Sequence, residues 1–155
     1  MSNSISAILK EAASWNVPQP EAQMDKEAAA RELAITELLS ISANIKAMHV
    51  NTGKYSQHMA LDQAFDDLNA AVDTFNECVQ GYYLYSTGSR LKLANAEVTF
   101  KLPGDGGVFD AVKSLCKRFK DASDPLVSGK SPLVSVQDDV LNCFYQLLYR
   151  LDLKG

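Results

Sequence analysis

The sequence predicts an all-α protein, a four-helix bundle with one long connection between its second and third helices. Apolar residues step alternately by three and four along two long stretches, 21–49 and 54–80, the period of a helix with one buried face. Glycine and proline are absent from both stretches and cluster between the periodic segments. The break between the first two helices is short enough to force an antiparallel hairpin, whereas residues 82–107 separate the second helix from the third.

An N-terminal helix is suggested by Ile5, Ile8, Leu9 and Ala12, and it is broken by the two prolines within Asn16 to Pro20. Residues 1–20 therefore read as a separate N-terminal segment, with Trp15 docking it on the bundle or on a partner. Residues 21–155 read as one domain. In the first long helix, about Glu21 to His49, the seam is Ala34, Leu38, Ile41, Ile45 and Met48. Asn51-Thr52-Gly53 stops it, with Gly53 suited to a left-handed helix end. The second runs from Lys54 or Tyr55 to Gln80 and ends at Gly81. It carries Leu61, Phe65, Leu68, Val72, Phe75 and Val79.

Residues 82–107 fit either a short strand-like excursion or an irregular crossover, and the crossover is favoured because Ala94, Asn95 and Ala96 interrupt the alternation. A third helix, Val108 to Asp121, buries Val108, Val112, Leu115 and Phe119, and Ser123 to Gly129 reads as a loop. Ser131-Pro132 has the form of a cap followed by a first helical proline. It opens a fourth helix to about Leu151, with Leu133, Val136, Val140, Cys143, Phe144 and Leu147 inward.

Composition narrows the function classes. Fifteen Lys and Arg against nineteen Asp and Glu give a net charge of −4, and Lys10 is the single base in the first twenty residues, so nucleic acid is not the expected partner. No apolar run has the length of about 18–20 residues that a membrane span needs. The start, Met-Ser-Asn-Ser-Ile-Ser, lacks the pattern of a secretory signal. Cys78, Cys116 and Cys143 lie among apolar residues without close spacing, which predicts buried reduced thiols and a cytoplasmic location.

The chemistry concentrates around the first hairpin. The two histidines, His49 and His58, flank it, and antiparallel packing brings them together. With His58 at zero and about 100° per residue, the second-helix seam lies between about 260° and 300°. Asp62, Asp73, Asp66 and Glu77 fall between about 40° and 100°, one stripe beside the seam. His58 with Asp62, and Asp73 with Glu77, are i, i+4 pairs able to grip one ion, and imidazole with carboxylate suits Fe, Mn or Zn. About 16 Å of helix separates Asp62 from Asp73, so one ion needs both pairs from two antiparallel copies. Solvated acids and a His49 that caps its helix are the simpler reading of the same residues.

The segment from His49 through Tyr55-Ser-Gln-His58-Met-Ala-Leu-Asp62, followed by Asp73-Thr-Phe-Asn-Glu77, resembles the ferroxidase segment of the mini-ferritins, the Dps group. The chain is similar, more continuously and through Leu147-Leu-Tyr-Arg-Leu151, to small ferritin-like proteins of tailed bacteriophages. The resemblance implies a ferritin-like bundle in which His49, His58 and Asp62 of one subunit meet Asp73 and Glu77 of a two-fold mate around Fe. Val50 stands where the mini-ferritins carry Trp, and a second alignment, on Phe65-Asp-Asp-Leu68, moves Asp62 onto the second His position.

Two functions are thus expected. The first is a metal-binding protein, Fe or else Mn or Zn, that oxidises Fe(II) with oxygen or peroxide as a homodimer or higher homo-oligomer. The second is a non-catalytic helical interaction protein, a phage accessory factor binding a host component in the host cytoplasm. Tyr82, Tyr83 and Tyr85 read as packing beneath the crossover, Lys113, Lys117, Arg118 and Lys120 as a solvated basic face, and Gly104-Asp-Gly-Gly107 as a turn.

Overall fold

A computed structural model describes residues 21–153, with side chains from residue 26 onward. The readings on Ile5 to Ala12 and on Trp15 lie outside these residues. The described chain is helical: α1 is Glu21–Asn51, α2 Tyr55–Thr87, α3 Val108–Val127 and α4 Ser131–Asp152, with a 3-10 turn at Asp105–Gly107 before α3. Among the described residues there is no strand.

Each helix buries most of the stripe that its spacing predicted, with Ala34, Phe65, Val136 and Cys143 half-buried at its edge. Leu38, Ile41, Ile45 and Met48 of α1 and Leu61, Leu68, Val72, Phe75 and Val79 of α2 are buried. Val112 and Phe119 of α3 and Val140, Phe144 and Leu147 of α4 complete the interior. Removing one such side chain from water stabilises the fold by about 1.5–3 kcal/mol. The rings of Phe75, Phe119 and Phe144 tie three helices together, with centroids 5.6 Å apart edge to face and 6.2 Å apart tilted. Helix α2 packs between α1 and α4, and α3 closes the bundle from the other side between the same two helices.

Residues 88–104 contain neither helix nor strand and run along α1. Their backbone is held by α1 side chains: Lys92 N–H donates to Glu32 at 3.1 Å, Ala94 N–H to Thr36 Oγ1 at 3.0 Å and Lys101 N–H to Asn44 Oδ1 at 3.4 Å. Gln80 of α2 starts the series by exchanging two bonds with Leu91, each 2.8 Å. Asn44 is therefore buried and Glu32 and Thr36 half-buried on α1, where they satisfy a chain that has no sheet to join.

Several local expectations are corrected. Helix α2 runs through Gly81 to Thr87, and it is Gly88, at φ 76°, that ends it, donating its N–H to Leu84 O at 2.9 Å. Burial of Tyr83 outweighs the cost of a mid-helix glycine, about 1 kcal/mol. Helix α3 likewise continues past Asp121 and over Pro125 to Val127, because Leu126 and Val127 are buried there. The N-cap of α4 is Lys130 rather than Ser131, which is the first helical residue. Gly53 is not left-handed, since the positive-φ glycines of the described chain are Gly88 and Gly129.

The cysteines are less buried than expected: Cys78 is exposed, and Cys116 and Cys143 are half-buried. Desolvation raises the thiol pKa of both half-buried cysteines. Tyr83 is buried and donates its hydroxyl to Leu126 O at 3.2 Å, but Tyr85 is 90% exposed. The basic face of α3 is largely paired, Lys117 with Asp121, Lys120 with Asp124, and Arg118 with Glu37 across to α1. Among the described residues no helix is long and apolar enough to cross a membrane.

Candidate functional site

The end of α1, the three-residue turn and the start of α2 bring a cluster of polar groups together. Thr52 N–H donates back to Met48 O at 3.0 Å, and His58 N–H to Lys54 O at 2.9 Å, so each helix end closes on its own carbonyls. Antiparallel packing then places His49 and His58 side by side, with ring centroids 4.1 Å apart. Their Nε2 atoms lie 3.1 Å apart, and Asp62 Oδ1 lies 3.4 Å from His49 Nε2.

In the neutral pair, hydrogen bonding assigns one proton to each ring. His58 Nδ1 faces the His49 carbonyl at 3.2 Å, and a carbonyl can only accept, so this nitrogen holds the proton. With both rings neutral, His58 accepts at Nε2 from His49 Nε2–H, and the Asp62 carboxylate stands 3.4 Å from the same His49 nitrogen. His49 Nδ1 is left without a proton, buried and with no partner. Burial, then the neighbouring His58 and Lys46, hold the His49 imidazole below its ordinary pKa against the opposing pull of Asp62 and Asp66.

A second network holds the turn itself. Asp105 of the 3-10 turn accepts from Thr52 Oγ1 at 3.0 Å and from Gly53 N–H at 3.1 Å through the same carboxylate oxygen. Gln57 donates to the Asp105 carbonyl at 2.8 Å. The end of the long connection is thereby fastened to the turn between the histidines. Sequence reading missed Asp105, because an Asp among glycines signals only a turn, and nothing in its spacing names Thr52, Gly53 and Gln57 as its partners.

The five expected ligands divide into two groups. His49, His58 and Asp62 are brought together. Asp73 and Glu77 are not brought to them; both are exposed and lie about 16 Å and more along α2 from Asp62. Asp73 lines a surface groove between α1 and α2 with Leu39, Lys46 and Phe65, while Glu77 lines another with Asn76, Gln80 and Arg90.

The hairpin donors meet part of what a metal ion requires. Two nitrogens bound to one ion at about 2.1 Å stand about 3.0 Å apart at a right angle and about 3.4 Å apart at the tetrahedral angle, a range that includes the 3.1 Å of the Nε2 pair. His58 has the bond expected of a ligand, its other nitrogen donating to a backbone carbonyl. His49 would have to move its proton to the buried, partnerless Nδ1, which raises the cost. Among the described residues no three His, Cys, Asp or Glu side chains are arranged to hold a metal within one chain. The hairpin thus supplies a partial donor set.

Comparison with known proteins adds one finding. The profile of a family of unknown function, DUF5856, matches residues 49–151. The chain belongs to the DUF5856 family. No curated protein and no solved structure matches the chain. All five candidate residues fall inside the part that defines DUF5856 membership, which begins at His49 itself and leaves most of α1 outside it.

Proposed function

We propose that this DUF5856 chain is a ferritin-like metal-binding bundle whose site is shared between two copies. His49, His58 and Asp62 of one copy and Asp73 and Glu77 of the other would hold Fe, or Mn or Zn in its place. The observation that carries the reading is the convergence of His49, His58 and Asp62 at one end of the bundle. The helix order, with a connection lying along α1 between α2 and α3, supports the ferritin-like assignment. A one-chain site is short of donors, and the distance along α2 from Asp62 to Asp73 calls for a second chain. Iron so bound is the substrate that oxygen or peroxide oxidises from Fe(II) to Fe(III). The chain's own part is to orient the His58 imidazole, through His49 O, and to supply carboxylates that stabilise the higher charge.

Anaerobic calorimetric titration of Fe(II) and Mn(II) into the wild type, His58→Ala and Glu77→Gln tests this, with light scattering on the same samples. Stoichiometric binding by a wild-type dimer, lost in both variants, is the expected result. A strict monomer at micromolar concentration, or equal weak binding by all three proteins, overturns it.

A second reading, a non-catalytic bundle that docks a host component, is favoured by the apolar side chains around the same turn. Val50 and Tyr55 are more than two-thirds exposed and Met59 nearly half, at 74%, 78% and 47%. In that case the histidines serve only as a hydrogen-bonded clamp on the hairpin.

A further inference from the structure

The connection between α2 and α3 is fastened by one backbone edge. Asn44 of α1 donates from Nδ2 to Thr99 O at 3.5 Å and accepts Lys101 N–H at Oδ1, 3.4 Å away. One carboxamide spans the carbonyl of one residue and the N–H of the next but one when the chain between them is extended, because alternate residues then share a side. The N–H and C=O of Phe100 therefore point away from α1, and the alternation carries those of Val98 and Leu102 with them. Among the described residues the backbone groups of Ala96, Val98, Phe100 and Leu102 form no hydrogen bond. Every residue from 95 to 102 is exposed, Phe100 by 52% and Leu102 by 48%. This is an open strand edge with apolar side chains, the kind that recruits another extended chain.

We propose that this edge pairs with the same edge of a second copy, as an antiparallel two-stranded ribbon centred on Thr99. The segment is complementary to itself. With Thr99 opposite Thr99, Val98 stands opposite Phe100, Glu97 opposite Lys101 and Ala96 opposite Leu102, each twice across the two-fold axis. Opposite charges, an aromatic against a β-branched residue, and threonine against threonine are the cross-strand pairs that stabilise a ribbon. The register also agrees with the free backbone. Val98 and Phe100 become a hydrogen-bonded pair through groups that face away from α1, while Thr99 takes a non-hydrogen-bonded position and keeps its carbonyl for Asn44. Shifting the partner by one residue matches Val98 with Thr99, whose carbonyl faces α1, and shifting it by two separates Glu97 from Lys101. A lone two-stranded ribbon is marginal, but each strand here is already fastened to α1 of its own copy. The pairing needs no metal and rests on the connection alone.

Sedimentation equilibrium of the chelator-treated full-length protein over a range of concentrations tests the ribbon, with circular dichroism checking that each variant stays helical. A reversible dimer is expected in the wild type. Phe100→Pro removes an N–H of the ladder and should leave a monomer. Glu97→Lys and Lys101→Glu each set like charges opposite one another at two places and should weaken the dimer about tenfold, whereas the two substitutions together restore it. In a Cys78→Ser background, Thr99→Cys should give a disulfide-linked dimer on mild oxidation, because residues opposite at such a position have Cα atoms about 4.5 Å apart. Glu97→Cys, with its two copies about 13 Å apart along the ribbon, should not. A monomer at every concentration overturns the proposal, and the edge is then open to an extended segment of a different protein. A dimer that Phe100→Pro leaves intact, or a double charge swap that fails to restore pairing, also overturns it, and neither result bears on the metal site.

Discussion

His58 donates its Nδ1 proton to the carbonyl of His49 at 3.2 Å while the Nε2 atoms of the two rings meet at 3.1 Å. The two residues are thus joined twice, once through the backbone of α1 and once ring to ring. Protonating His49 at Nδ1 creates a cation in a buried position with no acceptor.

That arrangement sets the pH dependence of the metal-free protein. Because the folded state holds His49 below its ordinary value of 6.5, by burial first and by His58 and Lys46 next, the folded chain binds fewer protons than the unfolded chain as acid is added. The contribution is complete above 6.5 and is lost as pH falls through the lower folded value. Thermal unfolding measured between about pH 5 and pH 7.5 should show Tm falling toward acid, and His49→Gln should flatten that slope. An identical slope in the variant would assign the effect to other groups.

Asp105→Ala should loosen the turn between the histidines. It removes the acceptor shared by Thr52 Oγ1 and Gly53 N–H, at a cost of about 1–2 kcal/mol in denaturant unfolding. It should also move the ring nitrogen resonances of His49 and His58 in the metal-free protein. Lost stability with unmoved resonances would show that the 3-10 turn does not position the pair.

Phe119→Ala should be among the most damaging single changes. The ring stands between Phe75 and Phe144 and is fully buried, so its loss opens a cavity shared by three helices. A destabilisation of about 3–5 kcal/mol is expected, read as a lower denaturation midpoint with an unchanged slope.

Two glycines at the end of α2 should respond in opposite directions. Gly81 is helical, and a Cβ there meets nothing within 4 Å, so Gly81→Ala should stabilise by about 0.5–1 kcal/mol. Gly88 ends the helix at φ 76°, a conformation that costs an L side chain about 1–2 kcal/mol, so Gly88→Ala should lower Tm. Equal effects from both would contradict the observed helix end.

The sequence by itself determined the helices and their inward faces, from Leu38 to Met48 on α1 and Leu61 to Val79 on α2, because a 3.6-residue period is a local property that burial merely reads out. It also determined that His49 and His58 would meet, since a short turn between antiparallel helices allows little else. Helix ends were decided elsewhere. Whether Gly81 or Gly88 stops α2, and whether Pro125 stops α3, turned on the burial of Tyr83 and Leu126 against each other, a contact between residues far apart in the chain. The same holds for Asp105, whose role exists only because residues 88–104 run back along α1 and deliver it to Thr52 and Gly53. Periodicity carries information about a residue's own helix; the partner across a gap is set by how loops and helices pack, which only the tertiary structure decides.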